Sequence, residues 1–407
     1  MGSLGKVPFM RSFYLTALVL GLLTAVGPLA INMYLPALPV IEDVFDTDTV
    51  TVQLSLLSFF VSMSLAQLIY GPLSDMFGRR LPLFIGLTLY LLGAVGSALA
   101  PDIQWLIAAR ALQGLGAAAG MVIARAVIRD LYTGPQAAQL MATLMLVVSI
   151  APVLAPLAGS AALAAGGWRT IFWSMAAAAI AALVLLTTAL KETRPPEQRG
   201  DSSLARSLRD YASLLREPRF LGIVFVGAFG LASFMAYVAN SSFILIEYYG
   251  LSPTQYSLAF SINAAGFIGV AQLNGYLSRR FGLGPMIRFA TAANVAVMLL
   301  LLITELVGIA TLPVMIVLLL CGYAFLGLVV PGTAVLALED HGEKAGTASA
   351  LMGALQFMTA TVMIGIAGAF FDGTPIPMIV AIAACSVIAF ALAMLSVPRK
   401  EAQIPAE

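Results

Sequence analysis

The sequence predicts an all-α membrane protein of twelve transmembrane helices in two six-helix halves. Three observations carry that prediction. First, 60% of the 407 residues are apolar and only 10% are charged, against about 25% charged in soluble domains. Second, the deficit is spread along the whole chain. Apolar stretches recur at 12–37, 51–70, 82–100, 103–128, 136–162, 168–190, 220–242, 254–276, 286–304, 311–336, 346–371 and 377–396. Each can cross about 30 Å of hydrocarbon at 1.5 Å per residue. Third, the segment 71–78 reads GPLSDMFG and 275–282 reads GYLSRRFG, with five of eight positions identical at an offset of 204 residues, about half the chain. Such an echo marks two parallel six-helix repeats, with a transport site expected at their interface near the midplane.

Helices are expected in each span, because lipid leaves unpaired backbone groups without partners. Barrel strands would be about ten residues long and would alternate, which this sequence does not do. The halves are read as 1–190 and 220–407, joined by a basic linker at 191–219. That linker contains Pro195, Pro196, Gly200 and seven basic residues. The first apolar stretch is too long for a signal-peptide core and is expected to be retained. Pro28, Pro36 and Pro39 in the first span, Pro152 and Pro156 in the fifth and Pro331 in the tenth predict kinks or hinges.

Orientation follows from the basic residues. With the N-terminus inside, the inner segments hold Lys6, Arg11, Arg79, Arg80, Arg129, the linker cluster, Arg279, Arg280, Arg288, Lys344, Arg399 and Lys400, or 18 of 21. The first outer loop is acidic, with Glu42, Asp43, Asp46 and Asp48. The positive-inside rule then places both termini in the cytoplasm of a bacterial inner-membrane protein. A net charge of +1 gives no case for nucleic-acid binding. Cys321 and Cys385 read as small core residues, and the single histidine, His341, sits in a loop without metal-ligand spacing. No cofactor, metal or enzymatic activity is expected, because neither paired acids nor a nucleophile with its base is present. A monomer in the bilayer is expected.

The segment from Gly71 to Arg80, GPLSDMFGRR, resembles the signature between the second and third helices of the major facilitator superfamily. RALQGLG at 110–116 resembles a second signature, of its drug/proton antiporters. Further segments are similar to the bicyclomycin and chloramphenicol resistance branch: NMYLPALP at 32–39, RDLY at 129–132, APVLAP at 151–156, WRTIFW at 168–173 and AGTAS at 345–349. The resemblance implies the major facilitator fold and proton-driven export of structurally varied small drugs. Two departures stand out. The first span has Asn32 where the branch usually carries an aspartate, and the fifth has lost part of its glycine pattern.

The signature residues suggest roles. Asp75, with Arg79 and Arg80 just beyond it and Asp130 at the inner end of the fourth span, is expected to form a conformational latch; the competing reading is a solvated loop with a tight glycine turn. Arg110 lies roughly 10 Å below the outer surface. A guanidinium at that depth marks a functional site facing a cavity, unless it snorkels outward. The expected cavity wall takes Asn32, Tyr34, Arg110, Gln113, Met145, Phe234, Tyr237, Asn240, Asn263, Tyr323, Gln356 and Phe357, each of which could instead serve helix packing. None of the 20 carboxylates lies in the middle of a span. Asn32 cannot titrate, so coupling has moved to a carboxylate at a membrane end, has been lost, or Asn32 is an engineered change that traps one state. The cavity then holds one fixed positive charge, which favours neutral or anionic ligands. The expected function is secondary transport of drug-like molecules, with the proton as coupling ion. The alternative is a carrier for one neutral or anionic metabolite with weak or no proton coupling.

Overall fold

The computed structural model describes residues 6–132, 134–199 and 203–399, without the side chains of 6–15, 135, 137, 138, 142, 198 and 343. Gly200 and Lys400 and the side chains of Lys6 and Arg11 therefore lie outside the described residues. In chain order the helices are α1 (Lys6–Asn32), α2 (Leu38–Phe45), α3 (Thr49–Phe77), α4 (Arg80–Ala98), α5 (Ile103–Leu131), α6 (Gly134–Gly166), α7 (Trp168–Ala189), α8 (Leu204–Leu214), α9 (Pro218–Ser242), α10 (Pro253–Ala271), α11 (Asn274–Phe281), α12 (Leu283–Leu306), α13 (Leu312–Leu338), α14 (Ala345–Ala369) and α15 (Ile376–Ser396). No strand occurs among the described residues. Among the described residues eleven spans are long and apolar enough to cross a membrane, or twelve when α10 and α11, bent by 43°, are counted as one span. The chain is an all-helical, multi-pass membrane protein.

Local sequence explains the irregularities. The first span is not one straight helix. It stops at Asn32, passes through a 3-10 turn at Leu35–Ala37 and resumes as α2. Pro36 has no N–H to donate, and Pro39 is tolerated only in the first turn of a new helix. The break falls at Pro36 and Pro39, two of the prolines expected to bend this span, whereas Pro28 lies inside α1. A π-helical turn at Phe243–Tyr248 extends α9. Asp102 caps α5 by accepting from the Trp105 N–H at 2.7 Å. Ser252 and Gln255 form a capping box that starts α10, with Pro253 next in line. Inside the linker, α8 places Leu204, Leu208 and Tyr211 at i, i+4 and i+7, with Tyr211 and Leu214 buried. The linker's charge hid this short amphipathic helix.

Two compact units are present, Met1–Tyr34 with Ser58–Ser207, and Leu35–Leu57 with Leu208–Glu407. The boundaries differ from the halves read in the sequence, since residues 35–57 pack into the second unit. Within the first unit, α1 packs on α5, α6 and α7, and α4 packs on α5 and α7. Within the second, α9 packs on α13, α14 and α15, α12 on α13 and α15, and α10 on α13. The two echoed glycines behave alike: Gly78 has φ of 87° and Gly282 has φ of 83°. That left-handed backbone favours glycine and gives the echo a structural reason.

Candidate functional site

Arg110 organises the first unit. It is fully buried, yet its guanidinium carbon faces three rings, 4.4 Å from the Phe59 centroid, 4.7 Å from Tyr34 and 5.9 Å from Phe172. Nη1 donates to Gln113 Oε1 at 2.6 Å. Nε and Nη2 have no hydrogen-bond partner, and no carboxylate pairs with Arg110 among the described residues. The aromatic faces attract the cation through their quadrupoles, worth about 2 kcal/mol when desolvated, but they leave these two nitrogens unsatisfied.

The RALQGLG segment builds this cluster through its small residues. A Cβ on Gly114 would collide with the Phe59 carbonyl oxygen and Ser62 Oγ. Glycine there lets α3 approach α5 closely enough to bring Phe59 over Arg110. Gln113 donates from Nε2 to Met175 Sδ at 3.5 Å, which orients its oxygen toward the guanidinium. Tyr34 and Phe172 lie 5.3 Å apart between centroids. Thus Tyr34, Arg110 and Gln113 come together. Phe59 and Phe172 were missed as contributors. Phe172 lay in the recognised WRTIFW segment, whereas Phe59 had no signal beyond an aromatic in an apolar run.

Asn32 is buried at 5% exposure, and its Nδ2 donates to the Pro28 carbonyl at 2.8 Å. Met145 is exposed on α6 and makes none of these contacts. In the second unit, Phe234, Tyr237 and Tyr323 form one cluster with Phe260 and Phe267. Asn263 Nδ2 donates to the Tyr237 hydroxyl at 3.1 Å, and its Oδ1 has no partner. Asn240 takes a different place: Nδ2 donates to the Ala236 carbonyl at 2.8 Å, while Oδ1 accepts from Gln53 Nε2 at 2.9 Å. Gln53 was not expected, because the second span was not counted in the wall. Gln356 is buried beside Gly227, away from these bonds, and Phe357 is half-buried.

At the other end of the first unit lies a charge cluster. Arg79 is 2% exposed. Its Nη1 donates to Asp75 Oδ1 at 2.7 Å, Nε to Asp130 Oδ2 at 2.7 Å, and Nη1 also to Ser74 Oγ at 2.8 Å. Burial opposes its charge, but the hydrogen bonds and charges of Asp130 and Asp75 outweigh it, so its pKa is raised. The start of the linker folds onto this loop. Arg194 Nη1 donates to Asp75 Oδ1 at 2.9 Å, and Thr193 Oγ1 to Asp130 Oδ2 at 3.0 Å. Glu192 accepts the backbone N–H groups of Arg79 at 2.8 Å and Arg80 at 3.2 Å. A Cβ on Gly78 would meet Arg199 Nη2 at 2.5 Å and Glu192 Oε2 at 2.6 Å, so the strap needs glycine there twice over. All of these partners belong to the first unit. Arg80 forms no part of the acid pairs; its Nη2 donates to the Thr187 carbonyl at 3.2 Å. The linker residues Glu192 and Arg194 were missed, since a Pro-rich basic stretch reads as solvated.

Burial opposes the Glu192 charge, yet its backbone N–H donors lower its pKa below the ordinary 4.5. A depressed carboxylate stabilises the fold above its ordinary pKa, and that contribution is lost as pH falls through the lower folded value. Glu192→Gln is therefore expected to loosen the strap at neutral pH. Tryptic cleavage after Lys191 and Arg199 in detergent-purified protein should accelerate by about fivefold, the equivalent of 1 kcal/mol of lost protection. Cleavage rates identical to wild type would contradict the clamp.

Comparisons with known proteins agree on the kind of molecule. The sequence pattern of the Major Facilitator Superfamily matches residues 20–363. An "uncharacterized MFS-type transporter YdgK" of Bacillus subtilis is 36% identical over 366 residues, 89% of this chain and 90% of that one. A "bicyclomycin resistance protein homolog" of Haemophilus influenzae is 29% identical, covering 93% of this chain and 95% of its own length. A "chloramphenicol resistance protein" of Pseudomonas aeruginosa is 28% identical over 71% of this chain and 68% of its own. Among solved structures, the xylose transporter XylE of E. coli aligns with a TM-score of 0.74 at 16% identity, covering 95% of this chain and 98% of that one. At that identity it shows the fold alone.

Proposed function

The chain belongs to the Major Facilitator Superfamily, a membrane transporter and not an enzyme, and we propose that it exports structurally varied, drug-like small molecules by alternating access. The proton is the proposed coupling ion. The carrying observation is Arg110: a buried cation, boxed by Tyr34, Phe59 and Phe172, with no carboxylate partner among the described residues. An aromatic pocket with few polar anchors accepts varied ligands, and an unbalanced cation disfavours cationic ones. The aromatic cluster around Phe234, Tyr237 and Tyr323 supports the same reading. The resistance proteins named among the relatives support export of drugs. The basic residues favour a bacterial inner membrane, with both termini and the Arg79 cluster on the cytoplasmic side. The monomer is the proposed working form.

In this reading Asp75, Arg79 and Asp130 form the latch, with Glu192 and Arg194 as its strap, and Arg80, expected in the latch, stands outside it. Asp75→Asn is expected to reduce transport far more than ligand binding, because it acts on the change of state. A second reading is a carrier for one neutral or anionic metabolite. The two unsatisfied nitrogens of Arg110 favour it, as their N–H groups would anchor one anionic group. Expression in a drug-sensitive bacterium separates the readings. Raised inhibitory concentrations for several unrelated compounds, lost in Asp75→Asn at equal protein levels, support the exporter. Protection against none of them overturns it. Unchanged protection by Asp75→Asn overturns the latch.

A further inference from the structure

We propose that the first unit carries a binding site for an anionic phospholipid of the cytoplasmic leaflet, in the furrow between α4 and α7; the leaflet assignment rests on the orientation given above. A cavity of about 250 Å³ opens there, lined by Arg80, Leu81, Phe84, Leu186 and Thr187. Its chemistry is that of a lipid, a cation at one end and apolar walls along the rest. Leu81 and Phe84 are half exposed, at 50% and 46%. On α7, Ile180 and Val184 are exposed as well and stand at i−7 and i−3 from Thr187, on its face of the helix. The apolar strip therefore continues from the cavity toward the bilayer centre, as an acyl chain requires.

The charge at the mouth is left over from the neighbouring cluster. Arg79 is neutralised by Asp75 and Asp130, Arg194 pairs with Asp75, and Arg199 lies 3.9 Å from Glu192. Arg80 makes no ion pair among the described residues and holds itself in place with a single bond to the Thr187 carbonyl. Glu192 is the nearest acid in these contacts, and it is occupied by the backbone N–H groups of Arg79, Arg80, Thr193 and Arg194. Lys191, exposed and just past the end of α7, adds a second cation with no ion pair among the described residues. Basic pockets between membrane helices on the cytoplasmic side suit lipid phosphates, and each Lys or Arg near an anionic surface contributes about 1 kcal/mol, or about fivefold.

The test is native mass spectrometry of the full chain, purified in detergent and offered equal amounts of phosphatidylglycerol and phosphatidylcholine with identical acyl chains. Wild type should retain phosphatidylglycerol in excess. Arg80→Gln and Lys191→Gln should each reduce that excess about fivefold, while Arg216→Gln, an exposed residue of the second unit, should not. Phe84→Ser should weaken retention of both lipids without changing their ratio. Millimolar inorganic phosphate should displace neither lipid. Equal retention of the two lipids by wild type, an undiminished excess in both Arg80→Gln and Lys191→Gln, or displacement by phosphate would overturn the proposal. Where Arg80→Gln does not fold, the Lys191 and Phe84 variants decide it. Because the readout is bound lipid and not flux, its failure leaves the transport reading untouched.

Discussion

Arg110→Ala should abolish transport, and Arg110→Met should do so without loss of thermal stability. Removing one partner of a buried ion pair usually costs about 3–5 kcal/mol, because it strands the other charge. No charge is stranded here, since Arg110 has no carboxylate partner among the described residues. Its burial instead carries a desolvation penalty of several kcal/mol. The rings of Tyr34, Phe59 and Phe172 and one bond to Gln113 offset that only in part, by about 2 kcal/mol for the rings and about 1.5–3 kcal/mol for the charged bond. A thioether of similar length fills the space without the charge. The expected result is a melting temperature equal to or a few degrees above wild type, with flux reduced about a hundredfold or more. A melting temperature well below wild type would show that the guanidinium serves the fold. Flux within about threefold of wild type would remove Arg110 from the transport site.

Asn32→Asp should extend the ligand range to cations and steepen the response to pH. The Asn32 amide donates to the Pro28 carbonyl at 2.8 Å. A protonated aspartate can make the same bond, so at low pH the variant should behave as wild type. Ionised, it loses the donor and faces a carbonyl oxygen, at a cost of about 1–3 kcal/mol. That cost falls when a cationic ligand compensates, and Tyr34, two residues on, touches the Arg110 face. Uptake of one neutral and one cationic drug by both forms at pH 6 and pH 8 reads the effect. The cation should gain about tenfold, or 1.4 kcal/mol, at pH 8 in the variant, with little change for the neutral drug. Identical cation transport and identical pH profiles would move the search for the proton site to Asp75 and to Glu247, a carboxylate in the π-helical turn that extends α9.

The spans were legible because membrane helices need long apolar runs, and lipid enforces that need everywhere. Where a span is irregular, the reason is local and easily overridden. Pro36 and Pro39 coincide with the break in the first span, whereas Pro152 and Pro156 in α6 and Pro331 in α13 left their helices continuous. Arg110 was legible as a lone deep charge. Its companions Phe59 and Phe172 were not, since an aromatic residue on an apolar helix has no mark that separates packing from function. The contact depends on Gly114 admitting α3, a fact of three-dimensional approach. Gln53 was invisible for a related reason: its partner Asn240 lies 187 residues away. The linker strap escaped because Glu192 acts on backbone N–H groups, which no side-chain pattern reveals.

Transport in proteoliposomes, with and without an imposed pH gradient, tests the central claim most directly. The purified chain is offered several unrelated neutral drugs, one cationic drug and one small organic anion. A multidrug exporter with an unbalanced Arg110 should move several of the neutral drugs saturably, exclude the cation, and run faster when the proton gradient opposes substrate flow. Saturable transport of a single solute, unaffected by the gradient, would contradict that account and make the protein a carrier for one metabolite.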